Sequence, residues 1–302
     1  MQVVSIINHK GGVGKTTLTA NLGAGLAARG KRVLLLDLDS QASLTVSFFT
    51  PPEWASELLP GRTVKHWFDG LDSGGALQSP AGLVSTPRRV RDKLARSSGR
   101  LDLVAAHRDL SDVDTTLAAQ LMQDESGFTR LHSRLRAALR HEAFAGYDIA
   151  LIDCAPNFGL VARNAVAASD LLLIPTKPDY LSTNGIDSLG LKIAEFVEEF
   201  NVRCGPDELQ ISRPPAAVVF TMVQLRGDEP IEAQRSVMSR VAAGGVTPLT
   251  TTIRDSKAIY GPAPEYGVPV ILGGTGRAAT RELREFVSEV WSHLDGAAAA
   301  AA

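Results

Sequence analysis

The 302-residue chain is 44% hydrophobic, has a formal net charge of -2 and contains two cysteines. Its length and apolar content suffice for one large α/β domain or two small ones, and its charge excludes a uniformly basic nucleic-acid binder, so any DNA contact must come from a local patch. Cys154 and Cys204 have no Cys or His at metal-ligand spacing, which points to a reduced, cytoplasmic compartment rather than a zinc site or disulfide framework.

Along the chain, apolar runs at 3–7, 33–38, 101–105, 147–152, 171–174 and 216–220 read as buried strands, without polar alternation. Helix-length segments at 15–29, 109–121, 128–143, 181–200, 230–242 and 277–294 separate or follow them. This alternation predicts an α/β fold, a mostly parallel sheet with helices on both faces and right-handed crossovers. Residues 50–100, punctuated by Pro51, Pro52, Pro60, Gly61, Pro80 and Pro87, read as an elaborated connection with one short helix around 64–68. No repeat or flexible linker appears, so residues 1–296 are expected to form one domain, with the alanines 297–302 set aside from the fold. The first residues lack the pattern of a signal peptide, and no stretch approaches the apolar length of a membrane span; no stable membrane insertion is expected.

Between the first strand and first helix lies Asn8-His9-Lys10-Gly11-Gly12-Val13-Gly14-Lys15-Thr16-Thr17. A strand, a glycine-rich turn and a helix N-terminus converge backbone N–H groups, Val13 among them, on a phosphate. Gly11, Gly12 and Gly14 allow close approach, Lys15 can reach the β and γ phosphates, and Thr16 can offer its hydroxyl to Mg²⁺. Thr17 is placed for the α-phosphate. The general G-x-x-x-x-G-K-[ST] pattern wants glycine where this chain has His9. The run Lys-Gly-Gly-Val-Gly-Lys-Thr-Thr resembles the deviant Walker A motif of the ParA/MinD family, and Asn-x-Lys before it is similar to the ParA branch. The resemblance implies a P-loop NTPase fold, ATP and Mg²⁺ as ligands, and a role for Lys10 across an ATP-dependent homodimer interface.

The second strand ends in Asp37-Leu38-Asp39-Ser40-Gln41, followed by Thr45. It resembles the family's switch segment, with Ser40 in place of the usual proline, and implies that Asp39 orients the attacking water. Such a carboxylate acts by position more than by basicity. The apolar run 147–152 followed by Asp153 has the pattern of a Walker B strand holding Mg²⁺, and Asn157 to Gly159 would form a second switch. Cys154 reads as packing. Thr176-Lys177-Pro178-Asp179 resembles a guanine-reading motif but follows Asp153 too closely, so adenine is expected, with base contacts near Thr221, Met222 and Val223.

The similarity continues through 251–259 and 265–270, nearly the whole chain. It implies a nucleoid-associated cytoplasmic ATPase that binds DNA nonspecifically as an ATP dimer and hydrolyses ATP with a ParB-type activating protein. With the phosphate loop starting by residue 10, sequence-specific operator binding is not expected. Candidate DNA-contacting residues are Arg254, Lys257, Arg277, Arg281 and Arg284, the last three at i, i+4 and i+7 on one helical face, although a solvated charged face fits equally well. A second basic run contains Arg88, Arg89, Arg91, Lys93, Arg96 and Arg100 and reads as an exposed segment. Two alternatives stay open: a MinD-like membrane-positioning ATPase, and a metabolic ATP-dependent enzyme on the same fold.

Overall fold

The computed structural model describes residues 1–70, 80–123, 127–205, 210–243, 246–274 and 276–301. Seven strands, β1 (Gln2–Ile6), β2 (Arg32–Leu38), β3 (Arg100–Val104), β4 (Ile149–Cys154), β5 (Leu171–Thr176), β6 (Ala216–Phe220) and β7 (Thr247–Pro248), form one sheet in the order β3-β2-β4-β1-β5-β6-β7. Every pairing in it is parallel. The six predicted strands are present; the two-residue β7 is too short to leave a pattern in sequence. All six residues of β4 and of β5 are buried, as expected for strands covered on both faces.

Six longer helices cover the sheet: α1 (Lys15–Ala28), α2 (Leu110–Gln123), α3 (Leu160–Ala168), α4 (Tyr180–Arg203), α5 (Glu232–Ala243) and α6 (Arg277–Ala301). On one face α2, α3 and α4 contribute Val113, Val161, Ile193 and Phe196 to the apolar layer, while on the other α1 and α6 contribute Leu18, Leu22, Phe286 and Val290. The predicted helix at 128–143 is interrupted: Phe128–His132 and Arg134–Leu139 are separate short helices. Ser133 between them has φ -99, ψ 4, and its hydroxyl donates back to the Thr129 carbonyl, the local competition with helical geometry that serine offers. The α6 backbone continues through Ala301.

The connection between β2 and β3 does contain the expected helix, at Val64–Gly70, with Trp67 and Phe68 buried. It also holds a short helix at Arg88–Lys93 and runs beside β3, where Ser85 and Leu103 exchange both backbone hydrogen bonds at 2.9 and 2.8 Å. The connection thereby occupies backbone groups that an edge strand would otherwise expose.

Candidate nucleotide site

The phosphate loop leaves β1 in the middle of the sheet, where strand order reverses between β4 and β5, the crevice at which open parallel sheets place ligands. Gly12 has φ +68 and Gly14 φ +89, so the loop uses the left-handed conformations that glycine adopts without a Cβ penalty. An added Cβ at Gly11 or Gly12 would meet open space, which shows that this side of the turn is free for a ligand to approach. Lys15 is turned inward at 7% exposure, donating to the carbonyls of Asn8 at 3.1 Å and Lys10 at 3.3 Å. Burial lowers its pKa while the charges of Asp153 and Asp39 oppose that shift. A buried ammonium held by neutral carbonyls is suited to receiving an anion.

Register brings the acidic residues together. Asp37 of β2 sits directly beside Asp153 of β4, and Asp153 beside Ile6 of β1. The Thr16 hydroxyl donates to Asp153 Oδ2 at 2.7 Å, and that of Thr19 to Oδ1 at 3.3 Å. Burial raises the pKa of Asp153, and the Asp37 carboxyl raises it further. The buried Asp153 carboxyl beside the Thr16 hydroxyl pairs two hard oxygen donors, and a cation there would offset the cost of burying the charge.

The three switch-segment polar residues divide their work. Asp37 is fully buried and accepts from Thr45 N and Oγ1 at 2.8 and 2.7 Å, while Thr45 Oγ1 accepts from Ala106 N at 3.0 Å. It is an internal tie of the loop. Asp39 is half-buried, and its Oδ1 accepts from Gln41 N at 3.0 Å. Asp39, just past the end of β2, therefore sits at the accessible side of the crevice, with Gln41 exposed beside it. Ala42, next in line, has φ +52, so the segment turns sharply without the family's proline.

Lys10 points away from Lys15. Its ammonium donates to Ser182 Oγ at 2.7 Å and to Asp179 Oδ1 at 3.3 Å, where Asp179 is the N-cap of α4 and accepts from Ser182 N at 2.8 Å. Desolvation pulls the Asp179 pKa up, but the hydrogen bonds from Ser182 and Lys10 outweigh it and hold the carboxyl below its usual range. Asp179, the last residue of the segment that resembled a guanine-reading motif, is thus a helix cap and a lysine holder. Asp-x-x-Ser before a helical stretch was the available signal for the cap; the lysine contact, 169 residues away in sequence, had none.

Beyond the loop, a cavity of about 390 Å³ is lined by Gly14, Thr17, Leu18, Met222, Ile253 and Tyr260, among others. The expected base-contacting pair lies here: Thr221 Oγ1 donates to Val13 O at 2.8 Å, tying β6 to the loop, and Met222 adopts φ +53 at the cavity wall. Apolar walls suit the flat faces of a purine. The Tyr260 hydroxyl is buried and has no hydrogen-bond partner among the described residues, and sequence reasoning did not single it out.

A sequence profile described as an AAA domain matches residues 1–204. "Probable plasmid-partitioning protein ParA" of Thermus thermophilus is 31% identical over 291 residues, covering 95% of this chain and 77% of that protein. The chain belongs to the ParA/MinD family of P-loop ATPases. Among solved structures, the ATP complex of McdA from Cyanothece superposes with a TM-score of 0.71 at 20% identity over 97% of this chain and 96% of that one. Cobyrinic acid a,c-diamide synthase from Mycobacterium smegmatis, with a bound ATP analogue and magnesium, reaches 0.70 at 22% identity over 98% and 96%. McdA and the diamide synthase thus match this fold equally well.

The five candidate DNA-contacting residues do not form one set. Arg254 is drawn into an ion pair with Glu282 at 2.6 Å and lines the 390 Å³ cavity, with Lys257 also in its lining. Its side chain is only 25% exposed, and its charge is matched by Glu282. Arg277, Arg281 and Arg284 are exposed on α6 as expected, with Arg281 3.9 Å from Glu285. In the second basic run, Arg89 pairs with Glu53, Arg91 with Asp92 and Arg100 with Asp102, so half of its charge is locally matched.

Proposed function

We propose that the chain is a ParA-like ATPase: it binds ATP with Mg²⁺, dimerises in the ATP state, binds DNA nonspecifically through that dimer, and hydrolyses ATP with a ParB-type partner to position DNA or other cargo. Its place would be the cytoplasm, at the nucleoid. The observation that carries this reading is the opposed orientation of the two loop lysines. Lys15 is buried within the loop, where a bound phosphate would lie, whereas Lys10 is 38% exposed and held to Asp179 by a pair at the surface. A lysine on the phosphate loop but turned from its own crevice is available to a second copy of the chain.

The residues fit the ligands. Gly11 to Thr17 would hold the phosphates through backbone N–H groups and the Lys15 ammonium; Thr16 and Asp153 would hold Mg²⁺, Asp153 directly or through water. Mg²⁺ held by Thr16 and Asp153 would supply positive charge to neutralise the phosphates. Asp39, at the accessible side of the crevice, would orient a water, and Thr221, Met222 and Tyr260 would receive the base.

The membrane alternative is disfavoured by α6: Leu283, Phe286, Val287 and Val290 are all fully buried against the sheet, so its apolar side is already used. Among the described residues no helix is long and apolar enough to cross a membrane. The metabolic alternative shares the fold, and Lys10 is what argues against it. The test is cosedimentation with nonspecific DNA and with anionic liposomes in ADP, ATP and a nonhydrolysable analogue, using wild type, Lys10→Ala and Lys15→Ala. Expected is ATP-dependent binding to DNA that both variants lose, Lys15→Ala through loss of nucleotide and Lys10→Ala with nucleotide binding retained. Binding to liposomes alone, or normal dimerisation of Lys10→Ala, would reject the proposal.

A further inference from the structure

The Asn157–Gly159 segment, expected to act as the second switch, follows β4 and its Asp153 and leads directly into α3. Phe158 stands edge-on to His9 of the phosphate loop, with ring centroids 5.9 Å apart, and edge-on to Phe196 of α4 at 6.3 Å. The Arg163 guanidinium lies over the Phe158 ring at 5.8 Å. A further contact comes from α2: Asp114 Oδ1 accepts the Val161 N–H at 2.8 Å, in the first turn of α3. Helix N-termini leave such N–H groups without intrahelical partners, and the N-cap of α3 is Gly159, which has no side chain to serve them. A carboxylate from another helix takes that place.

Gly159 fits that arrangement. Its φ of -72 and ψ of -173 are extended backbone open to any residue, so conformation does not call for glycine. Space does: a Cβ there would collide with the Asp114 carboxylate, whose Cγ would lie 2.8 Å away. Burial raises the Asp114 pKa, opposed by the N–H groups of Val161 and Leu160 and by the charge of Arg163, so both first-turn N–H groups face the carboxylate. Asp114 also lines a small cavity of about 40 Å³ together with Ser40, next to Asp39, and the exposed Asn157. Just ahead of α2, the Ala106 N–H donates to Thr45 Oγ1 at 3.0 Å, and Thr45 in turn holds Asp37. The passage from β3 into α2 is thus fastened to both switch segments.

We propose that Asp114 is a positioning residue for ATP hydrolysis: from α2 it anchors the far end of the second switch and so fixes where Asn157 stands relative to Ser40 and Asp39. The proposal rests on the chain hydrolysing ATP as a ParA-like ATPase. The Asp114 hydrogen bond goes to α3 and not to Lys15, Thr16 or Asp153, so its loss leaves the groups that would hold the nucleotide in place. Hydrolysis of this kind depends on positioned groups more than on a strong base, and a small displacement of the switch costs rate. A carboxylate suits the role because it also meets the partial positive charge of a helix N-terminus.

The experiment measures phosphate release, equilibrium binding of a nonhydrolysable ATP analogue, thermal melting and hydrogen exchange over residues 157–163, in the full chain as wild type, Asp114→Ala, Asp114→Asn and Gly159→Ala. Asp114→Ala should lower kcat by roughly tenfold or more while analogue affinity stays within about twofold, and Asp114→Asn, which keeps an acceptor oxygen, should recover most of the rate. Gly159→Ala should mimic Asp114→Ala and add little to it in the double variant, since both break one contact. Exchange over 157–163 should slow with the analogue in wild type and stay fast in Asp114→Ala. If Asp114→Ala melts below the assay temperature, Gly159→Ala and Asp114→Asn carry the same comparison. An unchanged kcat, a fall in rate matched by loss of analogue affinity, or fully additive effects at the two positions would overturn the proposal. A wild type that binds the analogue without releasing phosphate from ATP would instead refute the ATPase reading, and the proposal with it.

Discussion

Asp179 serves two purposes that substitution can separate. As N-cap of α4 it accepts from Ser182 N at 2.8 Å, and as a surface anion it holds Lys10 at 3.3 Å. The pair is 38% and 46% exposed, which places its contribution in the range of exposed ion pairs, about 0.2–1 kcal/mol. If Lys10 must leave this contact to reach a second protomer, the contact opposes dimerisation by no more than that amount. Asp179→Asn keeps a side-chain oxygen for the cap and removes the charge. It should therefore leave thermal stability nearly unchanged and strengthen ATP-dependent dimerisation by up to about fivefold per released lysine. Asp179→Ala removes both functions and should also cost about 1 kcal/mol of stability through the lost cap. Sedimentation velocity across a concentration series with a nonhydrolysable ATP analogue gives the dimer constant, and denaturant unfolding gives the stability. An Asp179→Asn chain that dimerises as poorly as Lys10→Ala would refute the reasoning, since the carboxylate would then be needed in the dimer itself.

Asp39→Ala should retain ATP binding and accumulate the ATP dimer, with turnover reduced by two or more orders of magnitude, roughly the scale of a lost positioning group; wild-type phosphate release would remove Asp39 from the mechanism. Tyr260→Phe removes a buried hydroxyl that has no partner among the described residues, so stability should hold or rise, while ATP affinity falls by about three- to tenfold if the hydroxyl meets the base. Equal affinity in equilibrium binding would place the base elsewhere. His132 is fully buried between Phe128 and Phe196, donates Nδ1–H to the Phe128 carbonyl at 2.8 Å, and has its pKa pushed down by burial, and by the charges of Arg163 and Arg203, to about 4. Because the folded value lies below the unfolded 6.5, the unfolded chain binds the proton first; stability is full above pH 6.5 and is lost as pH falls from there towards 4. The loss between pH 7 and pH 5 should be about 2 kcal/mol in denaturant unfolding. A His132→Phe chain should show a flatter profile, and an unchanged one would discharge His132 as the cause.

The phosphate loop was legible because all its functional parts lie within ten consecutive residues, and because a strand, a glycine turn and a helix write their periods into sequence. Asp153 was legible for a related reason: it ends an apolar strand, and parallel strands end on one side of the sheet. The same local logic identified six strands of the sheet. It failed where the determinant was a single local contest, as at Ser133, or where two residues pair too briefly to leave a pattern, as in β7.

What remained undecided was which side chains meet. Asp37 and Asp39 look equivalent in sequence, yet strand register buries Asp37 beside Asp153 and commits it to Thr45, leaving Asp39 at the crevice. Arg254 reads as one more exposed arginine until α6 brings Glu282 to it, 28 residues on. Lys10 and Asp179 become neighbours only because β1 and β5 are adjacent strands of one parallel sheet. Local geometry follows from local sequence, so the presence of a phosphate loop could be read directly. Charge pairing and burial depend on contacts between distant segments, so the direction each charged group faces was settled only by the folded sheet and the helices packed on it.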